Sequence, residues 1–480
     1  MAADAAAPAI VWFREDLRLA DNPALNAALA EGRAVVPAYI LETPAAGRAP
    51  GGASRWWLDR SLRALDRSLR ERGGRLVLRR GEPGEELRRL ADETGARKVF
   101  LNRRFDPEGF RRDAGVAAEL EGRGIACRGF NAALLRRPGE VLTGSGEPYR
   151  VFTPFLRTLL QTTADRPLTA PPTALPPVPD VAGDDIEAWG LRPVAPDWST
   201  GFDWTPGEAG AAAALEAFLD GPVDAYGTDR DLPARAGTSR LSPHLHFGEI
   251  SPWRVVQATR NAAARRPSAG AGGEKFIAEI GWREFSAHLL HHFPHMPDTA
   301  LRPAYDAMRW RTAPDELRAW QAGRTGYPFV DAGMRQLWTT GWMHNRVRMI
   351  VASFLVKHLL IDWRAGEAWF HDTLVDADAA SNAQNWQWVA GSGADAAPFF
   401  RIFNPVTQGE RFDPQGAYVR RWVPELARLP DRWIHQPWAA PAAVRAEAGV
   451  RFGRTYPEPI VDLAAGRARA LAAFKSLPDG

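Results

Sequence analysis

A proline-dense segment between about residues 166 and 206 divides this chain into two parts with different sequence patterns. Its densest stretch contains Pro171, Pro172, Pro176, Pro177 and Pro179. Proline fixes φ and lacks a backbone N–H, so prolines at this density exclude a regular helix or an interior strand. The segment therefore predicts a long connection between domains, because a chain of 480 residues is too long for one ordinary core.

The part before this connection alternates short apolar runs with helical, arginine-rich stretches. The apolar runs predict parallel strands at residues 9–13, 34–40, 75–79 and 98–102. A helix is predicted over residues 55–72, and the alternation as a whole predicts an open, doubly wound α/β domain over residues 1–140. This stretch contains neither G-x-G-x-x-G nor a Walker motif, so its pattern assigns no dinucleotide or triphosphate site.

A linker over residues 141–206 and a second domain over residues 207–480 complete the predicted organisation. Long helical patterns fill the second domain, which predicts an all-α fold. The chain has no apolar run of about eighteen residues and no basic N-terminal region, which argues against a membrane span or a secretory signal. The single cysteine, Cys127, fits a reducing cytoplasm, and a net charge of +3 leaves nucleic-acid binding open.

Two segments of the second domain carry polar groups that could bind a ligand. In GTSRLSP, Thr238 and Ser239 precede a helical stretch, so their hydroxyls and the backbone N–H groups suit a phosphate, although such residues also cap ordinary helices. In EIGWREF, Glu279, Trp282 and Arg283 share one helix face. They could bind a base edge, an aromatic ring and a phosphate, or they could form a surface ion pair beside a core tryptophan.

A third segment, GWMHNRVRM, places Trp342, Asn345, Arg346 and Met349 at the spacing of one helix face. An indole, an amide, a guanidinium and a thioether together are unusual in a hydrophobic core but are typical of the lining of a ligand pocket. An amide both donates and accepts hydrogen bonds, as binding a pyrimidine edge requires.

The fourth segment, DADAASNAQNWQW, begins with Asp376 and Asp378. No further carboxylates follow at the spacing of a cation site, so we expect hydrogen-bonded or ion-paired acids and no metal. Four histidines also recur at helical spacing, but Pro294 interrupts their helix, and we expect them to pack rather than bind metal. They are His288, His291, His292 and His295.

Taken together and in this order, five segments resemble the photolyase/cryptochrome family over nearly the whole chain. They are VWFREDLRLADNPAL (11–25), TGSGEPYRVFTPF (143–155), GTSRLSPHLHFGEISP (237–252), the stretch from WQAGRTGYPF to LLIDWR (320–364) and DAAPFFRIFNPVTQGERFDP (395–414). The resemblance implies an N-terminal antenna domain, a long linker and a helical domain that binds FAD, which is reduced and anionic in the active state.

The resemblance also assigns flavin contacts residue by residue. Arg348 and Asp376 match an ion pair packed against the isoalloxazine, and Asn382 matches the residue that faces flavin N5. An uncharged amide there stabilises the reduced anion, which an aspartate would repel. The full set of implied contacts is Tyr226, Thr238, Ser239, Arg240, Leu241, Ser242, Phe276, Glu279, Arg283, Asn345, Arg348, Asp376, Asp378 and Asn382.

The family's substrate pocket and electron chain are matched as well. The matching pocket residues are Glu279, Trp282, Asn345, Arg346, Met349 and Trp388, with Arg346 and Arg401 expected to be exposed and to bind DNA phosphates. The matching electron chain is Trp386, Trp363 and Trp310. The implied activity is light-dependent repair of cyclobutane pyrimidine dimers in DNA, a carbon–carbon lyase reaction in which Glu279, Asn382 and the three tryptophans take part.

Several alternatives stay open at this stage. They are a cryptochrome-like blue-light photoreceptor, a (6-4) photoproduct photolyase and a flavin electron-transfer protein without a DNA partner. Asn345 and Arg346 stand where the (6-4) branch is expected to have histidine, and Phe276 stands where some relatives have tryptophan. The stretch NRRFDPEGF (102–110) lacks the Asn-Glu pair of folate-binding relatives, so the antenna site could hold a reduced folate, a deazaflavin or nothing. By resemblance we expect a monomer.

Overall fold

The computed structural model describes residues 7–42 and 48–478. These residues pack as two compact units. Among the described residues, the first comprises 7–42, 48–197, Trp204–Gly221 and Ser239–Pro294, and the second comprises Trp198–Asp203, Pro222–Thr238 and 295–478. The units are not the predicted domains, because residues 239–294 pack with the N-terminal α/β part. The bounds 1–140, 141–206 and 207–480 stay a prediction about domain organisation.

The strands and helices follow one another in this order along the chain. The N-terminal part contains β1 (Ala9–Phe13), α1 (Pro23–Ala30), β2 (Val35–Glu42), α2 (Gly52–Arg70), β3 (Val77–Gly81), α3 (Pro83–Thr94), β4 (Lys98–Asn102), α4 (Pro107–Glu121), β5 (Ala126–Phe130) and α5 (Phe152–Thr162). The remainder contains α6 (Glu208–Leu219), α7 (Tyr226–Asp229), α8 (Ser242–His246), α9 (Pro252–Arg265), α10 (Ala269–His292), α11 (Pro314–Gln321), α12 (Pro328–Thr340), α13 (Asn345–Ser353), α14 (Trp363–Thr373), α15 (Ala379–Ala390), α16 (Pro405–Phe412), α17 (Ala417–Trp422), α18 (Asp431–Ile434), α19 (Ala442–Ala448) and α20 (Leu463–Lys475).

The α/β part is built on a five-stranded parallel sheet in the order β3-β2-β1-β4-β5. The central strand β1 is buried along its whole length because helices cover both faces of a doubly wound sheet. This confirms the predicted fold class. The sequence pattern missed β5, since this edge strand is only partly buried and therefore lacks a continuous apolar run.

The proline-rich connection contains no α-helix between residues 166 and 206, as predicted, and has only the 3-10 turns Ile186–Trp189 and Trp198–Gly201. Helix α5 lies within the predicted linker but before the dense prolines. The connection is hydrogen-bonded along the α/β part, where the Leu175 N–H donates to the Arg72 carbonyl at 2.7 Å and the Asp184 N–H donates to the Leu78 carbonyl at 2.8 Å.

The second unit is helical, and its core is rich in aromatic side chains. Trp320 is fully buried there, and its indole N–H donates to the carbonyl of Val351 at 3.0 Å. Helix α13 continues into a π-helical turn, Phe354–His358. Beyond residue 207 the described chain forms no strand, and no described helix is long and apolar enough to cross a membrane.

The four histidines do not share one helix face. Helix α10 ends at His292, before Pro294, so His295 lies outside the helix. His288 is buried, its Nδ1 lies 3.2 Å from the carbonyl oxygen of Pro138, and burial lowers its pKa to about 4. No group of three metal-binding side chains occurs anywhere within residues 7–42 and 48–478.

The buried carboxyl of Glu284 makes stability depend on pH. It accepts the backbone N–H of Leu135 at 2.9 Å, yet burial raises its pKa to about 7 from an ordinary 4.5. Between these two pKa values the Glu284 carboxyl stays protonated in the folded protein but is ionised in the unfolded chain. Stability should therefore fall between about pH 4.5 and pH 7, by as much as about 3 kcal/mol.

Chemical unfolding at several pH values checks this prediction. Glu284→Gln keeps an oxygen acceptor and removes the charge, so the variant should lack this part of the pH dependence and be more stable than the wild type above pH 7. If the free energy of unfolding changed equally with pH in the two proteins across this window, the prediction would be wrong.

Candidate active site

A cleft opens in the second unit between helices α13, α14 and α15. Eight of the predicted site residues line it: Asn345, Arg348, Met349, Asp376, Asp378, Asn382, Trp386 and Trp388. Seven further residues complete the lining, namely Ala352, Phe370, Leu374, Ala377, Ser381, Asn385 and Val389. The walls thus combine apolar surface with a few convergent polar groups, as small-molecule sites do.

The start of α13 aims three of these side chains at the cleft. Helix α12 ends at Thr340 and is followed by its C-cap, Gly341, whose φ of 68° is left-handed. A Cβ at Gly341 would meet the Phe202 ring at 2.7 Å. The chain then turns, and α13 begins only at Asn345, with His344 as its N-cap. The prediction of one helix face from Trp342 to Met349 is therefore wrong for Trp342, which lies before the helix.

Neutral His344 caps that helix. Burial lowers its pKa to about 4, so near neutral pH its Nδ1 is an acceptor for the backbone N–H of Arg346 at 3.2 Å. The cap fixes the first turn of α13, and with it the direction of Asn345 and Met349.

Arg348 and Asp376 form an ion pair on the cleft wall. One guanidinium nitrogen of Arg348 lies 2.8 Å and 3.1 Å from the two carboxylate oxygens of Asp376, and its Nε donates to the Met343 carbonyl at 2.7 Å. The Asp376 side chain is only 4% exposed, so its charge needs this partner. Asp378 caps α15 by accepting the Ser381 N–H at 2.7 Å.

The amide of Asn382 has a fixed orientation. Its Nδ2 donates to the carboxylate of Glu367 at 2.6 Å and to the Glu367 carbonyl at 3.1 Å. The amide oxygen is therefore the group left to accept a hydrogen bond from a molecule in the cleft. Glu367 was missed by the sequence analysis because it lies on a different helix, α14, with no local pattern to mark it.

The three predicted electron-chain tryptophans differ in burial. Trp386 and Trp363 are each 2% exposed, whereas Trp310 is partly exposed and packs against the core from outside. Trp386 lies against Gly366, where an added Cβ would stand 2.1 Å from its ring. Its ring also meets Trp320, edge-on at 6.2 Å between centroids, a neighbour that the sequence did not indicate.

The sequence predicts an exposed Arg346, but in the structure this side chain is largely buried against other residues. Its guanidinium pairs with Asp231 at 2.7 Å and lies 4.5 Å above the ring of Phe412, and the side chain is 21% exposed. Asp231 is distant in sequence and carries no motif, so only the fold reveals the pair. Arg401 is exposed, next to Phe400, which is 64% exposed.

The segment GTSRLSP differs from the predicted helix cap. Helix α8 begins at Ser242 with Leu241 at its N-cap, and no side chain caps it. Thr238 and Ser239 therefore lie in a loop before the helix, where the Ser239 hydroxyl accepts the Leu241 N–H at 3.4 Å. Arg240 adopts a left-handed φ of 53°. The cap interpretation is wrong because both hydroxyls precede the N-cap residue, Leu241, and neither accepts an N–H of the helix.

The EIGWREF residues lie on α10 of the first unit. Trp282 stacks on Phe152 with centroids 3.7 Å apart, and Arg283 donates to the Ala133 carbonyl at 2.7 Å. Glu279 is partly exposed one turn earlier on the helix, and Phe276 packs on the ring of Phe218. The Arg283 guanidinium also lies 3.7 Å from a carboxylate oxygen of the buried Glu284, so backbone carbonyls are not its sole partners. Tyr226, in the second unit, is buried beneath the guanidinium of Arg230.

Two family models match this chain, and together they cover most of its length. A model described as DNA photolyase matches residues 9–177, and one described as the FAD binding domain of DNA photolyase matches residues 276–476. A deoxyribodipyrimidine photo-lyase of Agrobacterium fabrum is 52% identical over 475 residues, covering 98% of each protein. Cryptochrome-1 of Arabidopsis thaliana is 40% identical over 483 residues, covering 98% of this chain and 70% of that protein.

A solved structure gives the same result. The crystal structure of a bacterial class III photolyase from Agrobacterium tumefaciens matches with a TM-score of 0.95 and 52% identity, covering 98% of each chain. The resemblance noted in the sequence is therefore confirmed. This chain belongs to the photolyase/cryptochrome family and carries that family's FAD-binding domain.

Proposed function

We propose that this protein repairs cyclobutane pyrimidine dimers in DNA, using light and reduced FAD. The observation that carries the proposal is the cleft of the second unit. There the amide of Asn382 and the Arg348–Asp376 pair line the same space as Met349 and Trp388. The first group of residues suits a flavin, and the second suits an apolar, fused-ring substrate.

The residues of the cleft fit a flavin. The isoalloxazine is planar and apolar on its faces but polar along its edges, and the lining offers Phe370 and Leu374 beside an amide and a guanidinium. When bound, FAD supplies light absorption and the electron that opens the dimer. Arg348 orients the ring edge, held in place by Asp376, and Asn382 presents an uncharged acceptor that does not repel a reduced anion.

The substrate contacts follow from the side-chain chemistry. A duplex hides a dimer in its base stack, so the dimer must leave the helix, which costs less where damage has weakened pairing and stacking. In the cleft of the second unit, Asn345 hydrogen-bonds a pyrimidine edge, Trp388 grips a ring face and Met349 fills the apolar gap. For Glu279 and Trp282, the family resemblance implies contacts with a pyrimidine edge and a ring face. Arg346 and Arg401 bind phosphates, and for Arg346 this means exchanging Asp231 for a phosphate.

Incubation with a thymine-dimer oligonucleotide tests the function. Pre-reduced protein should restore intact thymines under blue or near-UV light and should bind without repair in darkness. The (6-4) branch is tested in parallel with a (6-4) oligonucleotide, which should stay unrepaired. Flavin photochemistry without repair of either lesion would contradict the proposal and favour a photoreceptor of the cryptochrome type.

Replacing Trp386 by phenylalanine tests the electron chain. This indole lines the cleft and is buried against Gly366, so its loss should abolish most photoreduction of oxidised FAD while leaving repair by pre-reduced protein intact. Flavin absorbance during illumination measures photoreduction, and conversion of a thymine-dimer oligonucleotide measures repair. Trp438→Phe, at an indole outside the cleft lining, is the matched control. Loss of repair by the pre-reduced Trp386→Phe protein would make this assignment wrong.

Replacing Glu279 by alanine tests the substrate contact. A hydrogen bond to a charged group is worth roughly 1.5–3 kcal/mol, so repair efficiency should fall about tenfold to a hundredfold while FAD stays bound. Glu274→Ala, at an exposed position of the same helix, should have no effect. Release of the flavin by Glu279→Ala would instead give Glu279 a structural role.

A further inference from the structure

Trp57, on helix α2 of the α/β part, is linked to the GTSRLSP loop and to α8 by two separate sets of contacts. Its indole is fully buried. One set reaches Trp57 from α8, immediately after the loop, and the other reaches it from Arg240 within the loop. All of these residues belong to the first unit.

The first set is a buried hydrogen-bonded chain. The Trp57 indole N–H donates to one carboxylate oxygen of Glu249 at 3.0 Å, and the other oxygen accepts from Nδ1 of His244. Glu249 is 0% exposed and His244 is 3% exposed. A buried carboxylate needs its donors, so loss of the Trp57 N–H would leave an oxygen unsatisfied and free His244 to shift. His244 is the third residue of α8.

The second set is a stack of cationic and aromatic side chains. Trp204 meets Trp57 edge-on at 5.4 Å between ring centroids, and the guanidinium carbon of Arg240 lies 3.9 Å from the centroid of Trp204. Arg240 has the left-handed φ that non-glycine residues rarely adopt, so its conformation depends on contacts of this kind.

The chain beyond α8 is held against the α/β part as well. The Leu17 N–H donates to the Phe247 carbonyl at 3.1 Å, and the Arg18 guanidinium donates to the Gly248 carbonyl at 2.8 Å. Gly248 has a φ of 64°, and a Cβ there would lie 2.1 Å from the backbone oxygen of Glu15. With this end fixed, the contacts through Trp57 hold the loop and, together with a 3.3 Å hydrogen bond from the Arg283 guanidinium to the Leu245 carbonyl, they also hold α8.

We propose that Trp57 is a positioning residue for flavin binding, acting through Glu249 and His244 on α8 and through Trp204 on Arg240. The inference rests on the proposed flavin contacts of residues 238–242. It gives the first unit a structural role in flavin retention, in addition to the antenna role that the family resemblance implies for the α/β part.

Trp57→Phe tests this inference, because phenylalanine keeps an aromatic ring but removes the indole N–H. The variant should release FAD about tenfold faster than the wild type, as loss of a hydrogen bond to a charged group predicts. Flavin fluorescence after dilution measures release, and thermal unfolding of the apoproteins shows whether the fold itself has changed. Trp12→Phe is the control, since Trp12 is equally buried and its indole N–H has no hydrogen-bond partner within the described chain.

The outcomes separate this inference from the proposed function. A wild-type protein that binds no FAD would overturn the proposed function. If the wild type binds FAD and Trp57→Phe holds it equally well, only the positioning role fails. It also fails if Trp12→Phe releases FAD as fast as Trp57→Phe, because the effect would then be general to the core.

If Trp57→Phe does not fold, substitutions at Glu249 test the same inference. Glu249→Gln can accept from Trp57 and donate to His244, so it should retain FAD, whereas Glu249→Leu removes both hydrogen bonds and should lose it. Rescue by glutamine supports positioning through hydrogen bonds. Equal loss in the two Glu249 variants would overturn it.

Discussion

The Arg348–Asp376 ion pair is the interaction on which the geometry of the cleft depends. It joins the first turn of α13 to the residues that lead into α15, the two helices that carry most of the polar groups of the site. Because the Asp376 side chain is almost fully buried, removing Arg348 would leave an uncompensated charge at a cost of about 3 kcal/mol or more. The pair thus holds Asn345 and Met349 on one side in register with Asn382 and Trp388 on the other.

The same constraint explains why the amide of Asn382 suits its position. Glu367 already supplies a carboxylate at 2.6 Å, so a second negative charge at position 382 would face it directly. A neutral amide avoids that repulsion and still leaves one oxygen as an acceptor in the cleft. A charged pair at one wall and a neutral acceptor at the other are together suited to a flavin that carries negative charge when reduced.

Much of this arrangement was predictable from the sequence, and the failures have physical causes. Strands β1 and β4 match the predicted bounds because they are interior strands with a buried, apolar centre. Edge strand β5 gave no such pattern. Trp342 was placed on a helix because periodicity does not register the left-handed turn at Gly341. Asp231 and Glu367 could not be found at all, since Asp231 is 115 residues from Arg346 and Glu367 lies on a different helix from Asn382.

The role of Asn382 at the flavin is best measured by the reduction potential of the Asn382→Asp variant. We expect this variant to bind FAD with a more negative midpoint potential than the wild type, and the pre-reduced variant to repair dimers more slowly under light. The carboxylate of Glu367 beside the new side chain should strengthen this effect. A variant with unchanged potential and unchanged repair would contradict the assignment of Asn382, and with it the placement of the flavin in this cleft.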